Sequence, residues 1–326
     1  MCKMGLRTYI LLVFLPGLVL SQGIDQHRNF NLINDEKCGI SNPIERQIHH
    51  GAKASLGQFP WMVLIEKQTK EIDETNQESY YQSKCGGTIL NSKYILTAAH
   101  CFWFDERTTL LDADFIVPDC TRPGDVGRVI HKHEEVILHP GYDITTDFIN
   151  DIALIRVKGR IIFNDMVAPI CLEHGRLLEE NYAGVLGSVA GFGYIEFKDT
   201  FSDLPGRNNP VCTQDLHYLP NYPILDDEKC WDEIQTCCRD LVENLNRSIL
   251  PSQICAGGQV EKFTTVGDSG SPLMVLQSEG AEPPRYYQVG IVSYARLVPV
   301  FKHRFPTVYC RVRFYLEWIL DNMKPL

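Results

Sequence analysis

Three short motifs carry the residue types that acyl transfer requires. In chain order they supply a histidine, an aspartate and a serine: Leu96-Thr-Ala-Ala-His-Cys101, Asn150-Asp-Ile-Ala-Leu154 and Gly267-Asp-Ser-Gly-Ser-Pro272. A serine hydroxyl is a poor nucleophile until a neutral imidazole takes its proton, and the imidazole needs a carboxylate to fix its tautomer. We therefore predict that His100 is a base, that Asp151 orients it and that Ser269 attacks a carbonyl carbon.

The glycines around the serine fit this chemistry. Glycine permits a tight backbone turn, so the amides of Gly267 and Ser269 can point at one oxyanion. Ser271 excludes the G-x-S-x-G motif of α/β-hydrolases, which also place the serine before the acid and the histidine. Taken singly, His100 is typical of a core histidine, Asp151 of a strand cap and Ser269 of a turn; only their combination indicates nucleophilic catalysis.

The elements that must position these residues are mostly short strands. Turn signals separate a series of short apolar β-type runs. These runs lie at 59–65, 87–90, 94–97, 136–138, 152–157, 185–190, 273–276, 287–293 and 308–312. This pattern predicts an all-β barrel or sandwich. Tyr315, Trp318 and Ile319 share one helical face, which predicts an amphipathic helix at the carboxyl terminus. A second short helix is expected within the charged stretch 226–247.

Residues 1–21 are typical of a signal peptide. Lys3 and Arg7 precede a short apolar run at 9–20, and Ser21 is a plausible cleavage point. The alternative, a membrane anchor, is disfavoured because the run is short for a bilayer span. We therefore expect a secreted, extracellular protein with most cysteines paired. Cys2 leaves with the signal, so an odd number of the 12 cysteines remains and at least one has no partner within the chain.

Composition excludes several other classes. Hydrophobic residues make up 44% and charged residues 22%, enough to build a full core. The net charge of −10, without a basic tract, argues against a nucleic-acid partner, and we expect no membrane partner. His131 and His133 have no companion at ligand spacing, so we expect no metal and no cofactor. The sequon at Asn246 predicts glycosylation on a surface loop.

From Cys38 to its end, the chain resembles a trypsin/chymotrypsin-type (S1 family) serine protease, an invertebrate-like zymogen with a short propeptide. Beside the three motifs, the resemblance rests on Ile48-His-His-Gly51, Phe59-Pro-Trp61, Cys85-Gly-Gly-Thr88, Pro306-Thr-Val-Tyr309 and Trp318-Ile319. It implies two six-stranded antiparallel β-barrels, with the triad between them and a C-terminal helix. It also implies a propeptide or light chain at 22–47 and a protease domain at 48–326.

The resemblance assigns further roles. Ser293 is expected to support Asp151, and Asp268 to receive the ammonium freed by cleavage between Gln47 and Ile48. Arg46 lies one position too early for ordinary trypsin-like activation. The family disulfides fall on Cys38–Cys171, Cys85–Cys101 and Cys230–Cys255. No partners are assigned for Cys120, Cys212, Cys237, Cys238 and Cys310.

The expected primary specificity pocket departs from the family pattern. Phe263 stands at the floor, where an acidic, serine or small residue is usual, and Ala295 and Thr307 stand at walls that are often glycine. We therefore expect a secreted serine endopeptidase that acts on proteins or peptides through an acyl-enzyme, with an atypical pocket and with protease inhibitors as further partners. The alternative is a catalytically poor homologue that acts as a binding or cofactor protein.

Overall fold

The computed structural model describes residues 23–42, 52–55, 57–105, 107–118, 128–144, 148–193, 216–237, 248–259, 262–278, 280, 282–295 and 306–325. In this part of the chain the strands are β1 (Ala52–Lys53), β2 (Met62–Ile72), β3 (Glu78–Ile89), β4 (Tyr94–Thr97), β5 (Thr108–Pro118), β6 (Arg128–His131), β7 (His133–Leu138), β8 (Ala153–Val157), β9 (Cys171–Leu172), β10 (Leu186–Gly191), β11 (His217–Leu225), β12 (Gln253–Gly257), β13 (Pro272–Gln277), β14 (Arg285–Tyr294) and β15 (Pro306–Arg311). The α-helices are α1 (Asp227–Cys237) and α2 (Leu316–Asp321).

The strands form two antiparallel barrels. In the first, the order is β6-β5-β2-β3-β4-β8-β7; because β7 follows β6 after a bend at Lys132, the sheet returns nearly to its start. In the second, β10, β13, β14, β15, β12 and β11 close into a ring through the β11–β12 pairing. Strand β1 extends this ring beside β11, and β9 pairs in parallel with β14. The predicted fold of two barrels is confirmed.

The predicted strands match the buried parts of strands in the structure. Strand β4 is buried along its whole length, as its apolar run indicates. The hairpin β2–β3 continues well past the apolar runs, pairing Met62 with Thr88 at one end and Ile72 with Glu78 at the other. Its outer half is polar, and backbone pairing between the two strands holds it together. Strands β1, β5, β6, β9, β11 and β12 lie outside the apolar runs and were not predicted from them.

The two helices lie where the sequence predicts them. Helix α1 falls within 226–247. Helix α2 follows a 3-10 turn at Val312–Tyr315 and buries Ile319, with Tyr315 buried just before it. Among the described residues, no helix combines the length and apolarity that crossing a bilayer requires.

Direct contacts join the barrels at their interface. The hydroxyl of Thr88 donates to Oε1 of Gln288 at 2.7 Å, and both side chains are fully buried. Close by in the sequence, the amide of Gly86 donates to the carbonyl of Ser269 at 2.7 Å. These contacts fix the position of the second barrel's serine turn relative to the first barrel's histidine turn.

Candidate active site

His100 lies on a 3-10 turn, Ala99–Cys101, that follows β4. The Cys85–Cys101 disulfide ties this turn to β3. The imidazole Nδ1 lies 2.8 Å from Oδ2 of Asp151, and the His100 amide donates to Oδ1 at 2.9 Å. The His100 side chain is 18% exposed and that of Asp151 is fully buried. Since Nδ1 faces the carboxylate, the other ring nitrogen, Nε2, is left to face a reactant.

Asp151 is held from several directions. Its Oδ2 also accepts a hydrogen bond from the hydroxyl of Ser293 at 2.5 Å. The preceding Asn150 adopts a left-handed backbone, with φ of 58°, and its side chain donates to the carbonyl of Gly141 at 2.6 Å. The hydroxyl of Tyr315 donates to Oδ1 of Asn150 at 2.9 Å. A buried carboxylate is costly unless its oxygens are hydrogen-bonded, and this set of contacts meets that requirement.

Two backbone amides of the serine turn have no acceptor in the described part of the chain. The amides of Asp268, Gly270 and Ser271 donate to carbonyls of Thr265, Val292 and Asp268, respectively. By contrast, the amides of Gly267 and Ser269 donate to no other described residue. Gly267 has φ of 99°, a backbone angle that residues with a side chain rarely adopt. The turn therefore presents two unused donors on either side of Asp268.

The turn packs against the end of β4 at Thr97, three residues before His100. Gly270 has φ of 81°, and a Cβ there would lie 2.2 Å from Oγ1 of Thr97 and 3.2 Å from the amide of Ala98. The hydroxyl of Ser269 itself makes no hydrogen bond to a described residue. Catalytic hydrogen bonds are often loose until a substrate binds, so this does not exclude the serine as a nucleophile.

The Asp268 carboxylate is bonded to Gly193 and Thr265. Its Oδ1 accepts the Gly193 amide at 2.8 Å, and its Oδ2 accepts the Thr265 amide at 2.8 Å and the Thr265 hydroxyl at 3.3 Å. Burial raises the pKa of Asp268 although these bonds oppose the shift. No lysine or arginine in the described part of the chain forms an ion pair with it. The expected activation residues, Gln47 and Ile48, lie outside the described residues.

The three expected pocket residues lie on separate segments of the second barrel. Thr307 on β15 is fully buried, and its hydroxyl lies 2.8 Å from that of Thr264. Phe263, beside Thr264, and Ala295, just after β14, are partly buried. The described side chains at these three positions carry no charge.

An aromatic pair, Phe148 beside His100 and Tyr294 beside Phe148, belongs to no sequence motif. The Phe148 ring meets the imidazole edge-on with centroids 5.9 Å apart, and it stacks on Tyr294 at 5.4 Å. Phe148 has φ of 54°, a left-handed backbone conformation that is unusual for a bulky residue. The only sequence signal is its position three residues before Asp151. Together these rings form an apolar wall next to the proposed base.

The structure contains the disulfides Cys38–Cys171, Cys85–Cys101 and Cys230–Cys255. Cys310 is unpaired and buried, and burial raises the pKa of its thiol. Cys120, Cys212 and Cys238, the side chain of Cys237 and the sequon residue Asn246 lie outside the described part. Ligand atoms of His100, Cys85 and Cys101 come within 4.8 Å of one another, but the disulfide leaves no thiolate to bind a metal.

Comparisons with known proteins extend over most of the chain. The family model described as Trypsin matches residues 48–319. The Spaetzle-processing enzyme of Drosophila melanogaster is 32% identical over 311 residues, covering 90% of this chain and 70% of that protein. The CLIP domain-containing serine protease HP8 of Bombyx mori is 29% identical over 93% of this chain and 76% of its own length. A solved structure of HL collagenase aligns with a TM-score of 0.58 at 22% identity, over 85% of this chain and all of that chain.

Proposed function

Since the chain belongs to the trypsin family of serine proteases, we propose that it is a secreted endopeptidase in which Ser269, His100 and Asp151 hydrolyse peptide bonds through an acyl-enzyme. The observation that carries this assignment is the Asp151 carboxylate, which is fully buried and bonded to both His100 and Ser293. Such a carboxylate fixes one tautomer of the imidazole and stabilises the imidazolium that forms during proton transfer.

The proposed steps follow from these positions. The hydroxyl oxygen of Ser269 attacks the substrate carbonyl carbon while Nε2 of His100 takes the hydroxyl proton. The free amides of Gly267 and Ser269 donate to the oxyanion, a contribution of about 3 kcal/mol for each such donor. His100 then gives the proton to the leaving amine, and the acyl-enzyme forms. Water, deprotonated by His100, releases the acyl group and restores the serine.

The substrate is proposed to be another protein. Relatives carry names such as Spaetzle-processing enzyme and Melanization protease 1, both of Drosophila melanogaster. By that similarity, we infer cleavage of an extracellular protein, with inhibitors that occupy the same cleft as further partners.

The second candidate function is a binding or cofactor protein on the same fold. Phe263, Ala295 and Thr307 favour it, because each adds bulk where a substrate side chain is expected to enter. In that case the His100–Asp151 pair would remain while substrate access to Ser269 was lost.

A matched pair of serine variants tests the assignment. Ser269→Ala is expected to abolish organophosphorus labelling and to lower turnover by roughly 10⁶-fold, since triad members act as a unit. Ser271→Ala is the control: this serine lies in the same turn, is fully buried, and its hydroxyl has no hydrogen-bond partner among the described residues. The control should keep both labelling and turnover.

The outcomes separate the two functions. Turnover or labelling that survives in Ser269→Ala would refute the nucleophile. A processed wild-type protein that folds, binds its protein partner and is never labelled would favour the binding alternative.

A further inference from the structure

Lys67 is a lysine in the interior of the first barrel. It lies on β2 and is 7% exposed. The residues paired with it on the neighbouring strands, Ser83 on β3 and Ala113 on β5, carry no charge. No carboxylate in the described ranges forms an ion pair with its ammonium. A buried cation without a counter-ion costs several kcal/mol. The contacts that offset this cost therefore show which segment the Lys67 ammonium binds.

All of these contacts belong to the segment that carries His100. The ammonium donates a hydrogen bond to the carbonyl of Cys101, the residue after His100. It also lies over the Phe102 ring, 5.5 Å from the centroid, and near the Phe104 ring at 5.9 Å. Ring faces attract cations through their negative quadrupole. No backbone amide among the described residues donates to the Cys101 carbonyl in a loop or turn, so Lys67 supplies its donor.

We propose that Lys67 is a positioning residue for the proposed reaction: its ammonium anchors the His100 turn to the wall of the first barrel. The Cys85–Cys101 disulfide fixes the same turn from β3, and Phe102 stacks on Phe115 of β5 with centroids 6.0 Å apart. The lysine adds a polar anchor at the turn's carboxyl end. Turnover should therefore depend on a cation that touches no reacting atom; this inference rests on the proposed function.

The anchor depends on pH. Burial lowers the pKa of Lys67 to about 8. Below this pH the ammonium holds the turn; as pH rises through about 8 the lysine becomes neutral, the anchor weakens and turnover falls. An arginine at this position stays charged throughout this range.

Other ionisable groups surround this region and must be separated from Lys67. His131 lies opposite Phe115 and His133 meets its ring edge, while the turn itself carries His100 with Asp151. Charged groups on the adjoining strands are paired elsewhere: Glu66 with Lys84, and both Asp112 and Asp114 with Lys132. All of these groups are unchanged in variants of Lys67, so a difference between variants reports the lysine.

The test compares the wild type with Lys67→Met and Lys67→Arg, using processed protein whose active sites are counted by organophosphorus labelling. At pH 7, Lys67→Met should lose about tenfold in kcat per folded molecule with KM within about twofold, because positioning acts on the chemical step. Lys67→Arg should restore most of kcat. The pH at which kcat of Lys67→Arg falls should be higher than the pH at which kcat of the wild type falls.

Hydrogen exchange of the peptide spanning 96–104, corrected for the intrinsic effect of pH, provides a readout independent of catalysis. Protection should fall above pH 8 in the wild type but not in Lys67→Arg. Wild-type kcat in folded Lys67→Met, or identical pH profiles in the wild type and Lys67→Arg, would overturn this inference alone. A folded wild type without labelling or turnover would contradict the proposed function, and the exchange measurement would still decide whether Lys67 anchors the turn.

Discussion

At the scale of single residues, we propose that Phe263 limits which substrate side chains the primary pocket accepts. An arginine or lysine side chain that enters a dry pocket needs a carboxylate, or its desolvated charge costs several kcal/mol. Phe263 provides none, and the neighbouring Thr264 hydroxyl lies 2.8 Å from that of Thr307. We therefore predict poor cleavage after arginine or lysine and a preference for small or apolar residues.

A cleavage profile on a peptide library checks this prediction. Efficient hydrolysis of ordinary arginyl substrates would contradict it. Phe263→Gly tests the alternative that Phe263 fills a closed pocket: in that case the variant should accept larger apolar residues than the wild type does.

Glu173 is a buried acid that affects stability. It is 1% exposed, and neither carboxyl oxygen makes a hydrogen bond of standard geometry to a described residue, although the Tyr182 hydroxyl lies near enough to lower its pKa slightly. Burial raises its pKa to about 8, although the Arg313 guanidinium, 3.7 Å away, opposes the shift. The folded protein thus keeps a proton that the unfolded chain loses near its ordinary pKa of about 4.5. The free energy of unfolding must fall as pH rises between these values.

Glu173→Gln should remove this loss, because the amide stays neutral at all these pH values. At pH 8 the variant should be more stable than the wild type by roughly 2–4 kcal/mol, and the difference should shrink near pH 4.5. Urea unfolding at both pH values measures it. Glu317→Gln, at an exposed position on α2, is the control and should show no such trend. An equal effect of Glu173→Gln at both pH values would show that ionisation is not its cause.

At the scale of elements, the segment 23–42 is part of the folded body. Ile24, Leu32 and Ile33 are buried, and Cys38 is bonded to Cys171. The buried side chain of Asn29 donates to the carbonyl of Leu320 at 2.9 Å and to that of Met323 at 2.8 Å. Carbonyls at the end of a helix lack intrahelical donors, so this asparagine caps α2 from a distant part of the chain.

Asn29→Ala should leave the Met323 carbonyl without a donor among the described residues, and the Leu320 carbonyl with only the Met323 amide at 3.2 Å. The expected destabilisation is about 1–3 kcal/mol. Asn42→Ala is the matched control, because Asn42 is exposed and donates at 3.3 Å to the carbonyl of Asp165. Its effect should stay below about 0.5 kcal/mol. Thermal or urea unfolding compares the two, and similar losses would refute a special role for Asn29.

At the scale of the whole molecule, the proposed activation links a distant cleavage to the serine turn. Asp268 is half-buried, desolvation raises the pKa of its carboxyl, and its hydrogen-bond donors among the described residues are neutral. A terminal ammonium at Ile48 would supply its missing cation. Cleavage after Arg46 would instead leave Gln47 as the terminus. The new chain would then be one residue longer, and its first side chain would be polar where the family resemblance implies an apolar one.

We therefore predict that trypsin-like cleavage after Arg46 gives a poorly active two-chain protein. Exchanging the two residues, in the double variant Arg46→Gln, Gln47→Arg, moves the cut to the bond before Ile48. This variant should exceed the cleaved wild type by at least about tenfold in kcat/KM, since a buried ion pair with good geometry replaces an unpaired carboxylate. Amino-terminal sequencing must confirm each cut. Full activity of wild type with Gln47 at its terminus would overturn the prediction.

The sequence by itself determined the all-β class, the order of the three motifs and the resemblance to a family, and that resemblance implied the two barrels. These depend on local patterns: apolar runs such as that of β4, and motif residues adjacent in the chain. The outer half of the β2–β3 hairpin could not be predicted in this way, because polar residues there are held by backbone pairing with a partner strand rather than by burial.

Only the tertiary structure decided the environments of Lys67, Phe148 and Glu173. Each has an ordinary sequence context, and its properties come from residues far along the chain. The Cys101 carbonyl lies beside Lys67, the Tyr294 ring beside Phe148, and the Arg313 guanidinium beside Glu173. Desolvation and ring contacts depend on which distant segments exclude water from a side chain, and that exclusion exists only after the barrels have closed.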